Sequence, residues 1–256
     1  MAVLMRRWLF FSFCSLSVQL SAATWNLNAN GNWNVNGNWT APSVFPNGVD
    51  SNAIFGNVIT ANRTITLPVP ITLGSISFDD NNNYLITANT LSFQVSTANA
   101  AITVTNLNGN GSHAISSAMS LASTLDMTLS STANFTINGA ISGAGGIIKN
   151  GTAAGSFVLN NGTNSYGGPT IINQGKMTYN LAGSIPSSSP VTIGDGTSAA
   201  TLLIAANMAS VNAFDVTINP NGTLSPNSNI TTVVNSLQGD GSVVLTSGTT
   251  NTNHLD

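Results

Sequence analysis

Apolar residues alternate with small polar ones over most of the chain, and the alternation never lasts long. Tyr84-Leu-Ile86, Leu91-Ser-Phe93-Gln-Val95, Ile102-Thr-Val104, Leu125-Asp-Met127-Thr-Leu129 and Phe135-Thr-Ile137 each hold a period of two. Asn, Gly, Ser and Thr fill the gaps between them. A period of two puts the apolar members on one face of a strand, and the gap residues are those that make tight turns. The pattern is densest from Gly143 to Met177. There Ile147, Phe157 and Leu159, Ile172 and Met177 come in short bursts, each punctuated by glycine or Asn-Gly. That reads as short strands joined by tight turns, with no room for a helix. No burst can bury its own apolar face. Each must stack on a similar neighbour, so the expected fold is an all-β solenoid. Each strand and turn takes about 8 to 12 residues, so two or three such units make one coil.

The Gly143–Met177 stretch resembles the autotransporter-associated β-strand repeat. Gly143, Gly145, Ile147, Lys149 and Gly151 fill the opening of that pattern, and Phe157 and Leu159 fill its apolar alternation. Gly162, Asn164, Ser165, Tyr166, Gly168 and Thr170 fill its signature turn, and Ile172 and Gly175 close it. One departure is Ala154, beside Gly155, where the family has a Gly-Thr pair. The full match covers the 143–177 stretch. It implies a right-handed parallel β-helix in a secreted or surface-displayed passenger segment. It also implies structural roles for Gly143, Gly145, Ile147, Lys149, Gly151, Asn164, Tyr166, Gly168, Thr170 and Gly175. A second, partial copy is expected from Gly239, where Gly239-Asp-Gly241-Ser-Val243 matches the opening Gly-x-Gly and the strand after it.

The N-terminus has the three parts of a secretory leader. Arg6 and Arg7 are its charged region, Trp8 to Leu20 its apolar core, and Ser21-Ala-Ala23 its small-residue cleavage site. The apolar core is shorter than the roughly 20 residues that a membrane-spanning helix needs. Residues 1–23 are therefore expected to be a signal-peptide helix, and Cys14, the single cysteine, would leave with it. The expected location is secreted or on the cell surface, associated with an outer membrane. Residues 24–80 are expected to be capping coils. Trp25, Trp33 and Trp39 would close the open end of the core there; sugar stacking is the other reading of these rings. Residues 81–256 are expected to form the body of the β-helix. The 256 residues contain no alternating run ending in an aromatic of the kind an outer-membrane barrel requires, so the family's translocator is expected to be absent from this chain.

Charge narrows the function further. Of five basic residues, two lie in the leader, leaving Arg63, Lys149 and Lys176 against eight aspartates and no glutamate, a formal charge of −5. That balance argues against phosphate-driven binding of nucleic acid and against adsorption to anionic membranes. Uncharged polar side chains also suit stacked coils, in which like charges would repel one strand spacing apart. Asp79 and Asp80 are the only adjacent acids. They read as an Asx-rich turn, with a calcium site as the minor alternative. Asp195 and Asp240 sit in Gly-Asp-Gly turns, and His113 and His254 stand alone in polar loops without a second ligand at zinc spacing. No catalytic, cofactor or metal residues are expected. The expected function is a structural or adhesive segment meeting glycans or proteins on a host or neighbouring cell. The alternative is a carbohydrate-active β-helix that binds or degrades polysaccharide, which would need clustered carboxylates beside Arg63, Lys149 or Lys176.

Overall fold

The computed structural model describes residues 22–40, 44–105, 111–130, 132, 134–151, 155–208 and 213–245. The expected leader lies outside them, apart from its last two residues, and so does His254. The described chain is all-β apart from one 3-10 turn at Asn36–Asn38, and its parallel sheets form a β-solenoid of about 8 turns.

Three sheets make up the walls. The first has 11 strands: Trp39–Thr40, Ala23–Trp25, Asn52–Phe55, Ser75–Phe78, Ala100–Val104, Leu125–Leu129, Ile147–Asn150, Thr170–Ile172, Val191–Ile193, Asp215–Ile218 and Ser236–Gln238, in spatial order. The second has 10, running from Gly31–Asn32 and Arg63–Leu67 to Gly222–Pro226 and Ser242–Val243. The third is a short wall of 4 strands, Ile71–Leu73, Thr90–Phe93, Ala118–Leu121 and Ile141–Ser142. Ile102 lies beside Ile76, and Val191 beside Thr170, so the coil length varies, with 26 residues at the first of these steps and 21 at the second.

The period-two pattern decides which residues meet. Along the second sheet one inward ladder runs Ile65, Ile86, Ile115, Ile137, Leu159, Tyr179, Ile204 and Pro226. The outward positions hold mainly Thr, Ser and Asn, with Leu85, Ala114, Val158 and Leu203 among them. Burying each inward aliphatic side chain contributes about 1.5–3 kcal/mol relative to leaving it in water. No single strand could collect that gain, whereas stacked coils share one continuous core.

The N-terminal end is closed. Trp39–Thr40 turns back and pairs antiparallel with Thr24–Trp25, occupying the edge of the first sheet. Trp25, Trp33 and Trp39 are all buried, and Trp33 and Trp39 rings pack 4.8 Å apart. Their indole N–H groups donate to the carbonyls of Leu27, Pro46 and Trp33 respectively. The rings serve as a cap and present no face for sugar stacking. The first strand begins at Ala23, the last residue of the expected leader, and Ala23 is buried beside Ala53.

The glycine corners of the repeat are contacts between coils. At Gly143 φ is +107°, and a Cβ would sit 2.4 Å from the Leu121 carbonyl oxygen. A Cβ on Gly168 would meet the Gly146 nitrogen at 2.4 Å. The partial copy takes a different position from the one its sequence suggests. Gly143-Ala-Gly145 turns the chain from the third sheet into the first, whereas Gly239-Asp-Gly241 turns it from the first into the second. It therefore fills the corner held by Gly151 and not that of the repeat opening. Its Gly-x-Gly spacing is the same, but the strand before it belongs to a different wall.

Candidate functional site

Inward positions are buried, so chemistry that meets a ligand has to sit on outward positions or at corners. Several of the residues singled out above turn out to be inward. Lys149 follows Ile76, Ile102 and Met127 in one ladder and precedes Ile172, Ile193 and Ile218. It is fully buried, and its ammonium donates to the backbone carbonyls of Asn150 and Gln174 at the corner. Burial lowers its pKa from 10.5 to about 8, because a charged amine loses its hydration there.

His113 is the larger surprise. Its polar neighbours read as a loop, yet it points inward in line with Tyr84 and Phe135 and is fully buried. Its ring stacks on Phe78 at 4.9 Å, and Nδ1 accepts the Tyr84 backbone N–H at 3.2 Å. Desolvation lowers its pKa to about 4, against a smaller opposing pull from Asp79. The neutral ring is a core residue.

The signature turn is a junction between coils. The Asn164 side chain accepts the Ile141 N–H at 2.7 Å and donates to the carbonyls of Asn161 and Ser184 at 3.0 and 2.8 Å. One amide thus links the coil above with the coil below. The Tyr166 hydroxyl meets the Thr170 hydroxyl at 2.7 Å, and Thr170 meets Ser189 at 2.9 Å, all three fully buried. Desolvation raises the Tyr166 pKa, so the phenol stays neutral. Ile147 fills the core, and Gly151 and Gly175 make corners with φ of +89° and +77°.

The carboxylates are spread over separate corners. Asp80 is buried and accepts the N–H groups of Ile59 and Asn82, the latter at two residues' separation as in an Asx turn. Asp50 accepts from the N–H and hydroxyl of Ser96, Asp126 from Asn150, and Asp215 from Ser236. Asp195 accepts the N–H groups of Thr197 and Ser198, which hold its carboxyl below the usual carboxylate range. In its Gly-Asp-Gly turn the left-handed φ values belong to Gly194 and Gly196, not to the aspartate. Among the described residues no three His, Cys, Asp or Glu side chains group as metal ligands would.

One open groove of about 270 Å³ lies at the upper corner of the second sheet. Asn62, Arg63, Thr64, Asn83, Tyr84 and Ser112 contribute to its lining. Stacked amides build the rim: Asn62 accepts the Asn83 N–H at 2.8 Å, and Asn83 accepts the Ser112 N–H at 2.6 Å. Arg63 is paired with the Asn28 amide oxygen at 3.1 Å, while its Nε is buried and has no hydrogen-bond partner. The alternation in Arg63-Thr-Ile65-Thr-Leu67 places Arg63 at an inward parity, and that was the available signal. Its position where the strand starts lets the guanidinium reach the corner. Compared with known proteins, the chain matches no family model, no curated protein and no solved structure.

Proposed function

We propose that this chain is a structural and adhesive rod working outside the cell, which presents its outward polar faces to glycans and performs no catalysis. The observation that carries this reading is the Arg63 groove. It places an arginine that donates to the neutral amide of Asn28 among the amides and hydroxyls of Asn62, Thr64, Asn83 and Ser112. Amides and hydroxyls exchange hydrogen bonds with sugar hydroxyls, and a guanidinium adds a charge-assisted donor. The expected passenger role, with a leader directing export, fits a charge-poor rod of this kind. Degradation of polysaccharide is the weaker reading, since Asp50, Asp80 and Asp195 are each taken up by hydrogen bonds in a different turn.

Glycan-array binding by the full chain tests the proposal. Retention on at least one class of glycan is expected, with at least a tenfold loss in Arg63→Ala and an unchanged far-ultraviolet circular dichroism spectrum. A chain that binds no glycan or cell surface would leave only a passive spacer.

A further inference from the structure

The few charges of this chain are unevenly divided between its walls. Among the described residues, no strand of the second sheet carries an aspartate, whereas the first sheet holds Asp126 and Asp215. The second sheet carries Arg63 and Lys176 instead, and the remaining described cation, Lys149, is buried in the first. Arg63 is anchored without being neutralised. Its Nη2 donates to the Asn28 amide oxygen, which also accepts the Thr60 N–H at 3.0 Å, and among the described residues Arg63 has no ion-pair partner. Its Nε is buried and makes no hydrogen bond. Asp80, in the corner before Tyr84–Ala88, is no counter-ion for it, since the carboxylate oxygens are taken by Ile59 and Asn82. A chain of negative formal charge therefore keeps one uncompensated guanidinium in the wall of an open groove. An anion meeting it gains a charge-assisted hydrogen bond from a side chain that is already positioned.

The rest of the groove has two further parts. Thr64, Leu85 and Ala114 are register neighbours on the outward side of successive strands, all half-buried, and they give it a largely apolar floor. Asn62, Asn83 and Ser112 form a polar rail where those strands start. A sugar ring has the matching parts, a C–H face and a rim of hydroxyls. We propose that the sugar held in this groove bears a carboxylate, as uronic and sialic acids do. The carboxylate meets Arg63, the C–H face lies on Leu85 and Ala114, and ring hydroxyls meet the rail. This rests on the glycan-binding reading above and narrows its ligand to one chemical class. A neutral sugar would leave the guanidinium uncompensated.

Titration calorimetry of the full chain with oligogalacturonate and with its methyl ester tests the proposal, because the pair differs in the charge on the ring. A sialylated trisaccharide and its neutral disaccharide core make a second pair and separate the two sources of carboxylate. At least one acid should bind at least tenfold more tightly than its neutral counterpart, and the preference should vanish in Arg63→Gln. Lys176→Gln removes the same unit of charge from the same sheet, five strand spacings or about 24 Å away, and should leave the preference intact. Should Arg63→Gln alter the circular dichroism spectrum, Ala114→Glu brings a carboxylate to the floor from a different strand, and it should weaken the acid more than the neutral form. Equal affinity for acid and neutral forms would overturn this inference alone, as would a preference that survives Arg63→Gln or that falls as far in Lys176→Gln. Binding confined to neutral glycans on an array would do the same. A chain that retains no glycan of any kind would remove the broader reading with it.

Discussion

Lys149 stands where its neighbours in the ladder are isoleucine and methionine, and the position has a measurable cost. A base whose pKa falls from 10.5 to about 8 on folding is held charged more firmly by the unfolded chain. The unfolded state then binds more protons between those values, so stability should rise with pH from about 8 to 10 and stay flat below. The gain on completing the titration is on the order of 3 kcal/mol. Lys149→Met should abolish that rise and match or exceed the wild-type midpoint in urea at pH 7; a clearly less stable variant would mean that the two carbonyl contacts outweigh desolvation. His113 behaves oppositely in pH range but not in sign. Its pKa falls from 6.5 to about 4, so acid favours the unfolded chain across that window. About 3 kcal/mol of stability should be lost between pH 6.5 and 4. His113→Phe should flatten this limb at a constant offset for the Tyr84 N–H it leaves unpaired, and an unchanged limb would clear His113 of the role.

At the scale of strands and turns, the buried Tyr166–Thr170–Ser189 hydroxyl chain supports the signature corner. Tyr166→Phe keeps the ring and removes one of the two hydroxyl partners of Thr170, so a loss of about 0.5–1.5 kcal/mol is expected in chemical denaturation. A neutral substitution would show that Thr170 and Ser189 satisfy each other. These elements also show how far the sequence could be read. Inward and outward positions in Leu125-Asp-Met127-Thr-Leu129 follow directly from alternation, and the burial pattern repeats it. Ala114–Ile115 is only two residues long, too short for a period to show, and so His113 beside it looked like a loop residue. Its burial is imposed by Tyr84 and Phe135 in the coils on either side, which are distant in sequence. The Arg63 groove was hidden for the same reason. Its walls come from Asn62, Asn83 and Ser112, each one coil apart, and that register appears only when the coils are stacked.

Taken whole, the molecule is held by stacked apolar ladders and uncharged hydrogen bonds. Charged residues make up 5% of the chain, so ionic screening has little to act on. The urea midpoint should correspond to a stability change below about 0.5 kcal/mol between 0.05 and 0.5 M sodium chloride. A larger drop would reveal ion pairing of structural weight.

The rail of amides along one corner sets how such a rod ages. Asn138 donates to Ser116 and accepts from Asn160, and Asn160 accepts from Asn180. Asn138 precedes Gly139, a context in which the next backbone nitrogen readily attacks the side-chain carbonyl and expels ammonia to form a cyclic imide, which water then opens to a carboxylate. In the rod that nitrogen is held by the Ile115 carbonyl. Peptide mapping by mass spectrometry should find slower conversion at Asn138 in the folded chain than in the matching free peptide, and equal rates would remove the idea. Once converted, the residue can no longer donate to Ser116, and a rail of neutral rungs acquires a fixed negative charge. Chemical wear at this corner would therefore accumulate in rods that have already begun to loosen, and would mark them apart from intact ones.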